Sequence, residues 1–87
     1  MQYVVVLERT ANNWSAYVPD IGGCVAVGDT REEVECNIAE ALEFHFEDMR
    51  DAGQPIPAPG TWTATIEVTL PINAEVEESA IRSGGSY

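Results

Sequence analysis

Residues 28–34 read GDTREEV, and this stretch marks the point where the chain changes from strands to a helix. Thr30 followed three residues later by Glu33 is a capping box, in which the two side chains bind the free backbone N–H groups of the first helical turn. Glu32 and Glu33 also place negative charge at the positive end of the helix dipole. The stretch therefore predicts that a helix begins directly after Thr30.

The helix that follows is predicted to be amphipathic and to end near Ala52, with Gly53 as the residue that terminates it. At 100° per residue, one face is mostly apolar and the other is acidic. The apolar face carries Val34, Ile38, Ala41, Leu42, His45 and Met49. The opposite face carries Glu33, Glu40, Glu43, Glu47 and Asp51.

Strands are predicted on both sides of this helix. Residues 3–9, 14–18 and 24–27 are rich in β-branched and aromatic side chains and are separated by turn-forming Asn, Pro and Gly. Residues 62–70 alternate between apolar and polar side chains, which is typical of a half-buried strand. With a right-handed crossover, the β-β-β-α-β order predicts an α+β fold. We expect a four-stranded mixed sheet in the order 3-2-1-4, with one helix on one face.

The chain is strongly acidic, with 15 Asp and Glu against 4 Lys and Arg in 87 residues and a net charge of −11. Such a surface repels nucleic acid and anionic membranes and favours a basic partner. The alternative is that the charge only keeps the protein soluble. No apolar run is long enough to cross a membrane, and the two cysteines have no metal-binding spacing, so we expect a cytoplasmic protein with reduced thiols.

The sequence offers no set of residues that suits catalysis, a cofactor or a metal. His45 is the one histidine, and it falls on the apolar face, where a packed structural role is expected. The helical glutamates point outward with no second element to complete an oxygen cage. We therefore expect no enzyme activity. The candidate site is a protein-binding surface on the outer face of the helix, formed by Glu40, Glu43, Phe44 and Glu47.

Residues 16–25 (AYVPDIGGCV) and residues 28–34, followed by Asn37-Ile38 and Glu40-Ala41-Leu42, resemble the HicB family of antitoxins. Residues 53–57 (GQPIP) resemble that family's exit from the helix, and Gly22 stands where the family usually has proline. The resemblance covers residues 1–70. It implies a reduced ribonuclease H-like fold without catalysis, in an antitoxin of a type II toxin-antitoxin system that neutralises HicA, a small basic messenger-RNA nuclease.

The chain divides into a HicB-like domain, residues 1–70, and an acidic, partly ordered tail, residues 71–87. Many members of the family carry a C-terminal DNA-binding domain, and the tail is too short and too acidic for a helix-turn-helix, so direct nucleic acid binding is not expected. Since one helix covers only one face of a sheet, we expect a homo-oligomer, a dimer or tetramer. The alternative function is a solitary oligomeric scaffold or a small-ligand-binding domain with no toxin partner.

Overall fold

Three antiparallel strands and one helix form the fold in the computed structural model, which describes residues 1–77. The strands are β1 (Val6–Arg9), β2 (Trp14–Tyr17) and β3 (Val25–Gly28), and the helix is α1 (Arg31–Asp51). The sheet order is β1-β2-β3, so β2 is central and β1 and β3 are edges. The strands predicted at residues 3–9 and 14–18 are thus found with shorter bounds, and the strand predicted at residues 24–27 is found shifted by one residue.

A polar turn joins β1 to β2 and fixes their register. The Thr10 hydroxyl accepts hydrogen bonds from the backbone N–H groups of Asn12 and Asn13 at 3.3 and 3.0 Å. The Thr10 N–H donates to the carbonyl oxygen of Asn13 at 2.8 Å. The resulting register pairs Leu7 with Ala16, and the next ladder pairs Ala16 with Ala26. The small side chains of Ala16 and Ala26 therefore lie side by side on β2 and β3, where the helix can approach closely.

The connection from β2 to β3 is itself part of the core. The N–H of Ile21 donates to the carbonyl of Val18 at 3.1 Å, and the N–H of Cys24 donates to that of Ile21 at 3.4 Å. Gly23 has φ of 82°, a conformation that glycine adopts without strain. The bend turns the side chains of Val18, Ile21 and Cys24 inward, and all three are buried.

Both ends of α1 are capped as the sequence predicts. The Thr30 hydroxyl accepts a hydrogen bond from the Glu33 N–H at 3.0 Å, while the Glu33 carboxylate accepts from the N–H of Asp29. At the other end Gly53 has φ of 72°. The N–H groups of Gly53 and Gln54 donate to carbonyls of the last turn, at 3.0 and 2.8 Å. This pair of bonds is a Schellman motif, which satisfies the last carbonyls of the helix.

The core lies between α1 and one face of the sheet. Its fully buried members come from both layers and from the β2–β3 bend: Ala16, Val18, Ile21, Cys24, Val34 and Ile38. Leu42 and Phe46 continue the apolar stripe of α1 as partly buried residues packed against this core. The apolar stripe predicted from the sequence is thus correct from Val34 to Leu42. Beyond Leu42 it continues to Phe46, while His45 and Met49 are half-buried at its margin.

The prediction of a fourth strand is wrong. Residues 62–70 form no strand, and the sheet is three-stranded rather than four-stranded in the order 3-2-1-4. The alternation indicates that these side chains suit a strand. A strand also needs the free edge of another strand, to which its backbone N–H and C=O groups can bond. Here the segment pairs with no strand within residues 1–77. Of the predicted tail, residues 78–87 lie outside the described residues.

Candidate protein-binding surface

The four predicted contact residues lie together on the outer side of α1. Glu40, Glu43, Phe44 and Glu47 are all exposed, and 69% of Phe44 is accessible to solvent. Their spacing of three and four residues places them on an arc of about 100° on the helix surface. The helix is held by its buried opposite stripe, so it presents this outer face, formed by these four residues, in a fixed orientation. Their part in binding a partner stays a prediction.

The charge on this outer face is not neutralised by neighbouring side chains. Within residues 1–77 the ion pairs are those of Arg31 with Glu35, at 3.0 Å, and Arg50 with Asp51, at 3.4 Å. Both arginines therefore sit at the ends of α1, and the central turns carry acids alone. A cationic partner would meet an uncompensated negative surface with one exposed aromatic ring at its edge.

An open apolar depression borders the outer face. It has a volume of about 460 Å³, and its lining includes Tyr3, Leu42, Phe46 and Ile56, with Glu43 at the rim. The rings of Tyr3 and Phe46 pack with centroids 5.4 Å apart, and the Tyr3 hydroxyl donates to the carbonyl of Pro57 at 2.6 Å. Such a depression suits an apolar side chain of a partner. The sequence reasoning missed it, although Phe46 follows Leu42 by four residues, the spacing that shares a helix face.

Asp20 ties the connector that follows α1 to the β2–β3 bend. Its carboxylate accepts hydrogen bonds from the N–H of Gly60 at 3.0 Å, and from the N–H and hydroxyl of Thr61 at 3.2 and 2.8 Å. The bonds from Gly60 and Thr61 hold the pKa of Asp20 below its usual value. This contact fixes the path of the proline-rich connector, and with it the wall of the depression.

The remaining reactive side chains are scattered. Cys24 is buried, and burial raises the pKa of its thiol, while Cys36 is exposed on α1. Among residues 1–77, no group of three or more His, Cys, Asp or Glu side chains is placed to hold a metal ion. In the same range, α1 is too polar to span a membrane.

Comparison with known proteins links this chain to one family. The HicB-like antitoxin family of bacterial toxin-antitoxin systems matches residues 3–76. The protein named Antitoxin HicB 2 from Photorhabdus laumondii is 38% identical over 81 residues, covering 87% of this chain and 55% of the relative. An uncharacterised 14.9 kDa protein of Haemophilus phage HP1 is 35% identical over 57 residues, covering 66% of this chain and 43% of that protein.

A solved structure supports the same relationship. A chain of the HicA3 and HicB3 toxin-antitoxin complex matches with a TM-score of 0.60 and 32% identity, covering 68% of this chain and 69% of that one. This chain spans about half the length of the first two curated relatives. The family match extends from Tyr3 through both hairpins, the helix and the connector to Val76, and on this evidence the protein belongs to the HicB-like antitoxin family.

Proposed function

We propose that this chain is the antitoxin of a type II toxin-antitoxin system and that it binds and neutralises a small basic toxin resembling HicA. The observation that carries the proposal is the match to a chain of the HicA3 and HicB3 complex. The net charge of −11 supports a basic partner, because opposite charges steer two proteins into contact. We place this chain in the cytoplasm, where such a toxin would meet messenger RNA.

We place the contact on the outer face of α1. Glu40, Glu43 and Glu47 would attract the toxin and set the rate of association, which should fall as salt is added. Phe44 and the neighbouring depression would supply the apolar contacts that slow dissociation. The two contributions are separable, since charge acts mainly before contact and burial acts after it.

Co-expression tests the function. A candidate basic toxin gene is expressed with and without this chain, and growth and co-purification are measured. Rescue of growth with a co-purifying complex supports the proposal. If the toxin is neither bound nor silenced, the chain is better explained as a solitary oligomeric scaffold or small-ligand-binding domain.

Matched charge variants test the surface. In the first variant Glu40, Glu43 and Glu47 become Gln; in the control Glu8, Glu32 and Glu75 become Gln, which removes the same charge elsewhere. Association at low salt should slow by roughly tenfold for the first variant and much less for the control. Equal slowing would show that net charge alone matters. Phe44→Ser should instead raise the dissociation rate.

We further propose that the HicB-like domain comprises residues 1–70, that residues 71–87 are a separate acidic tail, and that the protein is a homo-oligomer without direct nucleic acid binding. The acidic surface supports the last point, since phosphate backbones are bound through cationic side chains. A gel-shift experiment with RNA and duplex DNA at low salt tests it, and retarded bands at micromolar protein would contradict it.

A further inference from the structure

Residues 62–70, here called the arm, form an apolar row that nothing in the described chain covers. Trp62 is 91% exposed, Ile66 73%, Val68 71% and Leu70 55%. Together with Ala64, these side chains recur at every second position, with Thr or Glu between them. In strand geometry they would all lie on one face. A row of this length on an unpaired segment is unusual for an isolated soluble chain.

The outer edge of β1 is the second unpartnered surface. β1 is an edge strand, so on one side of its backbone no strand from the described part of the chain lies beside it. Residues 3–5 precede it and are apolar, and the ladder with β2 begins only at Val6. Open edges of this kind accept strands from other molecules, because the N–H and C=O groups are already aligned.

The base of the arm lies near that edge but the arm does not pair with it. Tyr3, Val4, Thr61 and Trp62 line one open groove. Asp20 holds Gly60 and Thr61 by three hydrogen bonds, so the arm starts from a fixed point. Beyond Trp62 the arm remains outside the sheet of its own chain and exposes its apolar row.

We propose that the arm of one copy pairs with the outer edge of β1 in a second copy, and that the exchange is reciprocal in a two-fold dimer. The single chain keeps its three-stranded sheet; the added pairing is between molecules. One chain carries both the unpaired arm and the unpaired edge, so two copies satisfy each other without any other protein. In a two-fold dimer each arm pairs with the β1 edge of the other copy, so neither arm and neither edge is left unpaired.

The area involved suits a stable dimer. Burying Trp62 and three aliphatic side chains removes roughly 450–500 Å² of surface per arm. Each arm covers a similar area of the copy on which it lies, so two arms bury on the order of 1,800 Å². This agrees with the roughly 1,600 ± 400 Å² of a standard interface. The occupant is therefore a second copy of this chain.

The first test measures mass in solution with a matched pair of substitutions. Light scattering and sedimentation of the full chain should give twice the 9.5 kDa chain mass at tens of micromolar. Ile66→Lys charges the middle of the arm, and Ile72→Lys makes the same change at an exposed site beyond Pro71. Ile66→Lys should weaken the dimer by roughly tenfold or more, and Ile72→Lys should not. A monomeric parent, or equal effects of the two changes, would overturn the proposal.

The second test locates the contact by hydrogen exchange. Amides of the arm and of residues 3–7 should be protected in the parent dimer, and both protections should be lost in Ile66→Lys. Circular dichroism should show that this variant keeps its helix, since Ile66 lies outside the core. Protection of the arm without protection of residues 3–7 would rule out the β1 edge. The dimer does not depend on toxin binding, so either proposal can fail alone.

Discussion

Gly28 is the position where the smallest addition should do the most damage. A Cβ atom placed there would lie 2.7 Å from the backbone nitrogen of Val34, 3.0 Å from its Cα and 3.1 Å from the carbonyl carbon of Glu33. These are backbone atoms of the first turn of α1, which cannot rotate away as a side chain would. Since non-bonded carbon atoms settle at about 3.5–4.0 Å, α1 would have to move from β3 by roughly 0.5–1 Å.

That movement would loosen the core where it is tightest, because Val34 is completely buried. Overpacking of this kind costs roughly 1–3 kcal/mol. The lower chain entropy of Ala in the unfolded state offsets about 0.4–1 kcal/mol of this cost. We therefore expect Gly28→Ala to lower the free energy of unfolding by about 1–2 kcal/mol, or the melting temperature by roughly 5–15 °C in a domain of this size.

Urea or thermal unfolding followed by circular dichroism measures the effect at a fixed protein concentration. Gly22→Ala is the matched control, because a Cβ there meets no atom within 4 Å and its φ is not positive. The control should change the free energy of unfolding by less than about 0.5 kcal/mol. If the two variants unfold alike, the close approach of β3 to α1 is incorrect.

Three further changes test the core, the cysteines and the connector. Leu42→Ala should cost about 2 kcal/mol of unfolding free energy because it opens a cavity under α1, whereas Glu43→Ala should be nearly neutral, and equal melting shifts would contradict the assigned stripe. Cys36 should react quickly with a thiol reagent in the native protein while Cys24 reacts only on unfolding, as stoichiometry over time would show. Asp20 has a lowered pKa, so its stabilising contacts should be complete above the unfolded-state value and lost as the pH falls through the folded-state value. NMR titration should place the pKa of Asp20 in the folded protein below the ordinary value of an aspartate, and Asp20→Ala should expose the connector to faster hydrogen exchange at neutral pH.

The elements predicted correctly are those with local signals. The Thr30 and Glu33 cap, the Gly53 terminator and the polar turn after β1 each specify backbone geometry within a few residues. The resemblance to the antitoxin family is confirmed, because the family match extends over residues 3–76. The interpretation that the chain is not an enzyme is confirmed with it, since that family consists of antitoxins.

The sheet order could not be predicted because it depends on which strand edge a segment can reach in the folded chain. The alternation of side chains in residues 62–70 contains no information about that edge. The depression beside α1 was missed for a similar reason. Tyr3 and Ile56 are distant in sequence, and the Tyr3 hydroxyl bond to Pro57 brings the connector against the N-terminal segment. The helical glutamates were correctly expected to be exposed, but exposure alone does not identify a partner.

The distribution of apolar surface points to contacts between molecules. One helix covers one face of the sheet, so Val25 and Val27 on the opposite face are 66% and 60% exposed. The arm adds a second uncovered apolar row, while the buried core of the described residues is small. A domain of this size has little stability to spare. The proposed dimer would bury the arm only in the folded, associated state, so the melting temperature should rise with protein concentration by mass action. For the antitoxin function proposed above, the strength of self-association would then limit the concentration at which the folded chain can act.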